Sequence, residues 1–335
     1  MNVTPPVLIS DTSVWFAHDF ENPRSWVHEL SAANQNEIEA SVRKAVSAGK
    51  SFTDVNQRDF PLPKTCSMLR EVFADLEDGR GFSVVGNFPI ERFSYDEALI
   101  GYALVSAHLG VLVDQSYAGS MKVDVKDLGL AYGKDVRGYQ SNAMLRFHTD
   151  GAVLTGLLCL ESAAEGGLSV LISSGAISNA ILRDRPDLHA VLVKGFYHHR
   201  RGEHAIGENP VSPAPIPVFA FYDGLLHCTY DRNQSLWAVE EGVEVTPKQI
   251  EAMDYLDALM ASDKYQLHME MRRGDIQYLN NFTVMHSRTE YRDGPGHKRH
   301  LVRYWIDVPA GKRKGLTMRD LYVRAGGLAE QLYAR

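Results

Sequence analysis

The chain has 335 residues, of which 44% are apolar and 23% charged, a composition that is typical of an ordinary globular protein. Its formal net charge of −7 disfavours broad binding to nucleic acid or to an acidic membrane, because both need a basic surface. The three cysteines form no CxxC pair, and we find neither a signal peptide nor an apolar run of roughly 20 residues, so we expect a cytoplasmic protein outside the membrane.

The first third of the chain contains two predicted helices. Residues 36–48 carry apolar side chains at helical spacing and end at Gly49, a residue type that often follows a helix. Ser94 and Glu97 form a capping-box pattern ahead of a second, more apolar helix. Between the two helices, residues 81–85 are expected to form a short buried strand.

From residue 153 onward the pattern is typical of short strands. Asp223-Gly224 separates two of them and predicts a tight hairpin, and Thr246-Pro247 predicts the start of an inserted helix. The predicted strands span residues 153–160, 168–172, 218–222, 225–230, 267–271, 275–279 and 299–308.

This order of elements predicts one domain that is mainly β with flanking helices. Residues 1–80 would form a mainly helical N-terminal flank. Residues 81–308 would form the β core with one or two inserted helices. Residues 309–335 would be a C-terminal extension of the same domain.

A His-x-Asp triplet, His148 and Asp150, lies where a loop enters the first long strand. Residues i and i+2 of an extended chain point to the same side, so both side chains can face one metal ion. His286, which follows a later apolar strand, is the best candidate for a third ligand. Two imidazoles and one carboxylate leave open coordination positions and suit Fe(II) oxygen chemistry. In a chain with 13 histidines the triplet alone is weak evidence for a metal site, so the neighbouring motifs must support it.

Two arginines of the last predicted strand, Arg299 and Arg303, share one face because they are four residues apart. Arginines that point inward are costly without anions to pair with, so this face would suit an anionic co-substrate and an anionic substrate. The alternative is an edge strand whose arginines lie in water and pair with acids such as Asp293.

Taken together, these motifs resemble those of the taurine dioxygenase and clavaminate synthase superfamily of Fe(II)- and 2-oxoglutarate-dependent oxygenases. The matching stretches are RFHTD at 146–150, LLCL at 157–160, GGLS at 166–169, GD at 274–275, the segment 280–288 and RHLVRYW at 299–305. The resemblance covers about residues 80–308. It implies a double-stranded β-helix, or jelly-roll, core with iron near one open end, and 2-oxoglutarate and dioxygen as co-substrates.

The resemblance also implies roles for individual residues. His148, Asp150 and His286 would bind the iron and form the catalytic centre. Arg299 would bind the distal carboxylate of 2-oxoglutarate, assisted by the hydroxyl of Ser169. Arg303 would bind an anionic group of the primary substrate.

The expected reaction is hydroxylation of a small anionic molecule, first of all a free amino acid or a derivative, coupled to decarboxylation of 2-oxoglutarate to succinate. Gln140 and Asn142 are candidates for contacts with the substrate, or for ordinary loop hydrogen bonds. Desaturation or ring closure would use the same ligands, whereas an intact Asp150 disfavours halogenation. The oligomeric state stays open, and a homo-oligomer is compatible with the sequence.

Two alternatives come from other classes of protein. A non-catalytic jelly-roll module that binds a small anion would make the histidines incidental. A zinc hydrolase would need a general base, and no acidic residue is placed for it beyond the ligands. The histidine-rich stretch 197–204 is interpreted as a solvated loop near the pocket rather than a second metal site, because its arginines would repel a cation.

Overall fold

The computed structural model describes residues 4–323. Its strands are β1 Val27–Glu29, β2 Phe82–Gly86, β3 Val111–Val113, β4 Val123–Val125, β5 Leu145–His148, β6 Leu154–Glu161, β7 Glu165–Gly166, β8 Ser169–Ser173, β9 Phe219–Tyr222, β10 Leu225–Cys228, β11 Leu267–Met269, β12 Ile276–Asn280, β13 Val284–Arg288, β14 Tyr291–Arg292 and β15 His300–Asp307. Its α-helices are α1 Ala32–Ser47, α2 Cys66–Glu77, α3 Tyr95–Ser106, α4 Ser174–Asp184, α5 Pro186–Lys194, α6 Arg232–Trp237, α7 Pro247–Met260 and α8 Met318–Val323.

Two sheets form the centre of the fold. The larger has the strand order β1-β2-β12-β6-β15-β3, with β4 also paired to β15, and the smaller has the order β11-β8-β13-β5. All of these pairs are antiparallel except β1 with β2. Neighbouring strands are mostly distant in sequence, as in a jelly roll, and the predicted fold class is confirmed.

The two sheets pack face to face through alternating apolar side chains. Val84, Leu279 and Leu301 from the larger sheet share one buried cluster with Leu171 and Val284 from the smaller sheet. Burial of each such side chain contributes roughly 1.5–3 kcal/mol, so this layer fixes how the inner faces of the sheets oppose each other.

Helices cover the outer faces of both sheets. On the larger sheet, Val42 of α1 and Tyr102 of α3 belong to one buried cluster with Tyr304 of β15. The Oγ of Ser94 accepts the Glu97 N–H at the start of α3, as the capping box predicts. On the smaller sheet, α4, α5 and α7 are buried in a second cluster.

Most predicted elements are present within a few residues of their expected bounds. The hairpin β9–β10 turns through Asp223 and Gly224, which both have positive φ angles, of 51° and 80°. The expectation of one or two inserted helices is wrong, because α4, α5 and α6 accompany α7. The N-terminal segment also contributes β1 to the larger sheet. Within residues 4–323, every helix is too short or too polar to cross a bilayer.

Candidate active site

The two predicted histidine ligands lie opposite each other on neighbouring strands of the smaller sheet. His148 ends β5, and its antiparallel partner on β13 is His286, so that the two imidazole centroids are 4.4 Å apart. Asp150 follows His148 by two residues, and its Oδ2 lies 3.7 Å from Nε2 of His286. One potential ligand atom from each of the three residues lies within 4.8 Å of the others, a spacing that suits a single metal ion.

The protonation states of these groups also suit a metal ion. Nδ1 of His148 lies 2.8 Å from the Arg146 carbonyl oxygen, which can only accept, so a neutral imidazole with its proton on Nδ1 would leave the Nε2 lone pair for a metal ion. Burial lowers the pKa of His286 to about 3, which keeps that imidazole neutral. Burial raises the pKa of Asp150, but Arg303 and the two imidazoles outweigh it and hold the pKa at about 2. These donors fit Fe(II).

Both oxygens of Asp150 are held in place by neighbouring side chains. Arg303 Nη1 donates to Oδ1 and Thr155 Oγ1 donates to Oδ2, both at 2.8 Å. The backbone N–H of Asp150 donates to Asn281 Oδ1 at 2.9 Å. The carboxylate is therefore oriented before any ligand binds, and part of this support comes from Arg303.

A cavity of about 60 Å³ lies beside the three candidate ligands, between the two sheets. We call it the inner cavity. Ser169 and Arg299 both line it, and Ser169 Oγ donates to Gln277 Oε1 at 3.0 Å. Arg299 is only 5% exposed, and its Nη1 has no hydrogen-bond partner among the described residues. The predicted co-substrate residues thus lie in one cavity with the candidate metal ligands.

The alternative of an exposed edge strand is wrong for the last strand. β15 is central, with β6 on one side and β3 and β4 on the other. Asp293 accepts a hydrogen bond from the backbone N–H of Arg299, at 2.8 Å, and not from its guanidinium. The buried guanidinium is therefore available to a bound anion.

A larger pocket of about 610 Å³ reaches the same centre from the other side, and we call it the outer pocket. His148, Asp150 and Arg303 line both spaces. The outer pocket also has an aromatic wall that includes Tyr132 and Trp305. Its volume leaves room for a small-molecule substrate next to the candidate metal ligands.

A sequence model of the taurine catabolism dioxygenase TauD/TfdA family matches residues 46–305, which is most of the chain. The chain belongs to the TauD/TfdA family. It is 28% identical over 313 residues to FR-33289 synthase of Streptomyces rubellomurinus, covering 91% of this chain and 92% of that protein. It is 27% identical over 275 residues to uridine-5'-phosphate dioxygenase of Amycolatopsis sp., covering 70% of this chain and 96% of that protein.

Solved structures show the same fold. The structure of asparagine oxygenase with Fe(II), (2S,3S)-3-hydroxyasparagine and succinate matches with a TM-score of 0.64 at 16% identity, over 90% of this chain and 100% of that chain. As a TauD/TfdA-family protein with a His-Asp-His cluster, this chain is an Fe(II)- and 2-oxoglutarate-dependent oxygenase that acts on a small molecule. This confirms the predicted enzyme class, cofactor and co-substrate, and replaces the alternatives of a binding module and a hydrolase.

Two predicted substrate residues of this family member lie outside the linings of both spaces. Gln140 Oε1 accepts the Arg137 backbone N–H at 3.0 Å and so closes a short turn. Asn142 Nδ2 donates to the Tyr291 carbonyl at 3.2 Å. Both side chains make loop hydrogen bonds, and their neighbour Tyr139 lines both spaces instead.

The expectation of a solvated loop at 197–204 is wrong for its central residues. His198 and Arg200 are buried, and both contact Tyr322 of α8: His198 Nδ1 lies 3.2 Å from its hydroxyl, and Arg200 donates to its carbonyl at 2.9 Å. Only His148, Asp150 and His286 form a metal-type cluster within residues 4–323. The histidine-rich stretch therefore anchors α8.

Two further parts of the site were not predicted from the sequence. Arg288 lines the inner cavity, and the strand period of two could have revealed it, because it stands two residues after His286. The C-terminal extension contributes Met318 and Tyr322 of α8 to the outer pocket. No local signal marks these residues as part of a pocket, since only tertiary packing brings them there. Residues 324–335 of the predicted extension lie outside the described residues.

Proposed function

We propose that this TauD/TfdA-family oxygenase hydroxylates a small anionic molecule in the outer pocket, with a free amino acid or an amino-acid derivative as the first choice. In this proposal His148, Asp150 and His286 hold the iron, and Ser169 and Arg299 bind 2-oxoglutarate in the inner cavity. Bound iron would supply the activation of dioxygen, coupled to decarboxylation of 2-oxoglutarate to succinate.

The charges around the inner cavity carry the argument for an anionic substrate. Three guanidiniums line it, those of Arg288, Arg299 and Arg303, against the single carboxylate of Asp150. A divalent metal ion adds two positive charges, and dianionic 2-oxoglutarate removes only two. The loaded centre therefore keeps a positive excess, which attracts an anion in a partly buried site.

Arg303 is the residue that would bring the substrate anion close to the centre. Its Nη1 donates to Asp150 and its Nε donates to Gln115 Oε1, at 2.8 Å in both cases. Its Nη2 makes no hydrogen bond to another residue of the described chain, and Arg303 lines the outer pocket. A carboxylate or phosphate of the substrate can therefore bind Arg303 without breaking its ion pair with Asp150.

Two names among the relatives agree with a substrate of this kind. Asparagine oxygenase was solved with a hydroxylated amino acid, and the Amycolatopsis relative is named for a nucleoside phosphate. Both molecules are small and carry an anionic group next to a polar body. The outer pocket combines Arg303 with polar and aromatic neighbours, which fits this general description.

The test is a screen of matched charged and uncharged compounds with purified enzyme, Fe(II), 2-oxoglutarate and oxygen. L-amino acids, N-acyl amino acids and nucleoside 5'-phosphates are compared with their amides or nucleosides. Succinate release is measured together with a gain of one oxygen atom in the product. We expect an acid to stimulate succinate release far more than its uncharged analogue does, and His148→Ala to abolish the signal.

Equal stimulation by the uncharged analogue would contradict the anionic substrate. Succinate release with a product that has lost two hydrogens would indicate desaturation or ring closure instead of hydroxylation. No stimulation by any acid of the panel would contradict the proposed substrate class.

We also propose a cytoplasmic location and a single-domain organisation. All three cysteines are unpaired in the structure, as is usual in a reducing compartment. β1 is a strand of the larger sheet, and the helices α1 and α2 share one buried cluster with residues of that sheet, so the N-terminal flank and the β core have a common hydrophobic core. Size-exclusion chromatography with light scattering would decide between a monomer and a homo-oligomer.

A further inference from the structure

Arg288 is a buried arginine whose contacts explain only one of its three nitrogens. Nη2 donates to the Ser141 carbonyl at 2.8 Å and to the Ala143 carbonyl. Nε and Nη1 are buried and have no hydrogen-bond partner among the described residues. A buried N–H without a partner costs about 1–3 kcal/mol, so a purely structural role does not account for this side chain.

Arg288 is a lining residue of the inner cavity. Arg288 and Ser169 are direct partners in the antiparallel pairing of β13 with β8, so that their side chains leave the sheet on the same face. Both residues line the cavity together with Arg299. The guanidinium carbons of Arg288 and Arg299 lie 4.7 and 5.1 Å from the centre of the Tyr291 ring.

These two guanidiniums have no carboxylate partner in the described chain. Asp150 is the single acidic residue of the cavity lining, and Arg303 already binds it. Nη1 of Arg299 and the hydroxyl of Tyr291 are also buried without partners. Three of these donor atoms belong to Arg288 and Arg299, which line the same small cavity, and an oxyanion would satisfy them.

We infer that Arg288 is a second binding residue for the distal carboxylate of 2-oxoglutarate, and that it couples this co-substrate to the segment 141–143. The inference rests on the proposed binding of 2-oxoglutarate in the inner cavity. Arg288 holds the backbone carbonyls of Ser141 and Ala143 with one nitrogen and offers the other two to the carboxylate. Bound 2-oxoglutarate therefore also stabilises the segment that leads into the iron motif and lies beside Tyr139 of the outer pocket.

The first test uses two 2-oxoacids that differ only at the distal end. 2-Oxoglutarate carries a carboxylate where 2-oxopentanoate carries a methyl group. Anaerobic calorimetry of the Fe(II)-loaded protein gives the Kd of each. In Arg288→Met we expect the Kd of 2-oxoglutarate to rise about tenfold or more, as for loss of a charged hydrogen bond, and that of 2-oxopentanoate to change less than about threefold.

Two further variants separate binding from folding. Arg288→Lys keeps one positive charge but lacks the planar fork, so it should recover part of the preference for 2-oxoglutarate. Arg313→Met is the matched control, because Arg313 is another buried arginine, it donates to the Leu226 and Glu77 carbonyls, and it lines neither space. Its preference for 2-oxoglutarate should equal that of the wild type.

Trypsin tests the coupling to the segment 141–143. Lys126 and Arg146 are exposed and flank this segment. Under anaerobic conditions 2-oxoglutarate should slow cleavage after both residues in the wild type and have little effect in Arg288→Met. Equal protection in both proteins would overturn the coupling.

The outcomes also separate this inference from the proposed function. A wild type that binds neither 2-oxoacid would contradict the inner cavity as the co-substrate site. A wild type that prefers 2-oxoglutarate, together with an Arg288→Met variant that prefers it by the same factor, would overturn only the role of Arg288.

Discussion

The inner cavity and the outer pocket meet at the same metal-type cluster, but they differ in whether their lining arginines have oxygen partners. In the inner cavity, Arg288 and Arg299 are buried without carboxylate partners. In the outer pocket, each lining arginine already has an oxygen partner: Arg137 binds Glu203, Arg201 binds the carbonyls of residues 133, 134 and 136, Arg303 binds Asp150, Arg319 binds Asp307, and Arg146 lies 3.5 Å from Asp257.

This difference indicates how the two spaces would recognise 2-oxoglutarate and the primary substrate. Unpaired buried charges are costly, so an anion that binds in the inner cavity would offset this cost. Paired charges in the outer pocket present hydrogen-bond geometry with little net field beyond Arg303. The proposed co-substrate site thus offers two unpaired guanidiniums, whereas the proposed substrate site offers one, that of Arg303, which is already paired with Asp150.

The largest expected effect is at the candidate metal cluster, of which His148 and Asp150 line both spaces and His286 lines the inner cavity. His286→Ala removes one of three metal ligands, and we expect stoichiometric Fe(II) binding and succinate release to be lost. Metal content after desalting and succinate release check this. His268→Ala, an exposed histidine of the same sheet, is the control and should keep both. An active, iron-containing His286→Ala protein would mean that another residue binds the metal.

The next largest effect is expected at the inner cavity. Arg299→Met removes a buried guanidinium from the proposed site for the distal carboxylate, and the Kd of 2-oxoglutarate should rise about 100-fold, equal to roughly 3 kcal/mol. Fe(II) binding without 2-oxoglutarate should stay unchanged, because Arg299 contacts none of the three ligands in the described hydrogen-bond network. An unchanged Kd would place the distal carboxylate elsewhere.

The free energy of unfolding should depend on pH through His227, a buried histidine that contacts the segment before α8. Nδ1 of His227 donates to the Leu225 carbonyl and its Nε2 accepts the Gly315 N–H at 3.0 Å, which anchors the segment before α8. Burial lowers the pKa of His227 to about 3, against an unfolded value of about 6.5. Neutral His227 therefore stabilises the fold fully above about pH 6.5, and this contribution is lost as the pH falls towards 3.

Between pH 7.5 and 5, the wild type should lose about 2 kcal/mol more free energy of unfolding than His227→Gln does, since glutamine can accept the same N–H without titrating. Urea unfolding at the two pH values measures the difference. Parallel losses in the two proteins would show that His227 is not the titrating anchor.

The smallest expected effect is at an arginine of the outer pocket, and it tests the contrast between the two spaces most sharply. Arg137→Met removes an arginine that lines the outer pocket and is already paired with Glu203. The Kd of 2-oxoglutarate should change by less than about threefold, under roughly 0.7 kcal/mol. Calorimetry alongside Arg299→Met checks this. A rise as large as that of Arg299→Met would remove the distinction between the two spaces.

The same contrast explains what the sequence could predict. Period-two spacing placed His148 with Asp150 and Arg299 with Arg303, because strands put such residues on predictable faces. The resemblance to the taurine dioxygenase superfamily supported His286 as the third ligand and implied the role of Arg299. The outer pocket depends on Gln115, on loops and on α8, which come together only through tertiary packing. Gln140 and Asn142 are near the site in sequence, yet their side chains bind loop backbone.

The central claim is that 2-oxoglutarate binds beside a metal held by His148, Asp150 and His286. The most direct test is anaerobic titration of the apo-protein with Fe(II) and then 2-oxoglutarate, following the weak visible charge-transfer band of the complex. We predict a band that needs both components, saturates at one equivalent of iron and is absent in His148→Ala. A well-folded, iron-loaded protein that shows no band with 2-oxoglutarate would contradict the account.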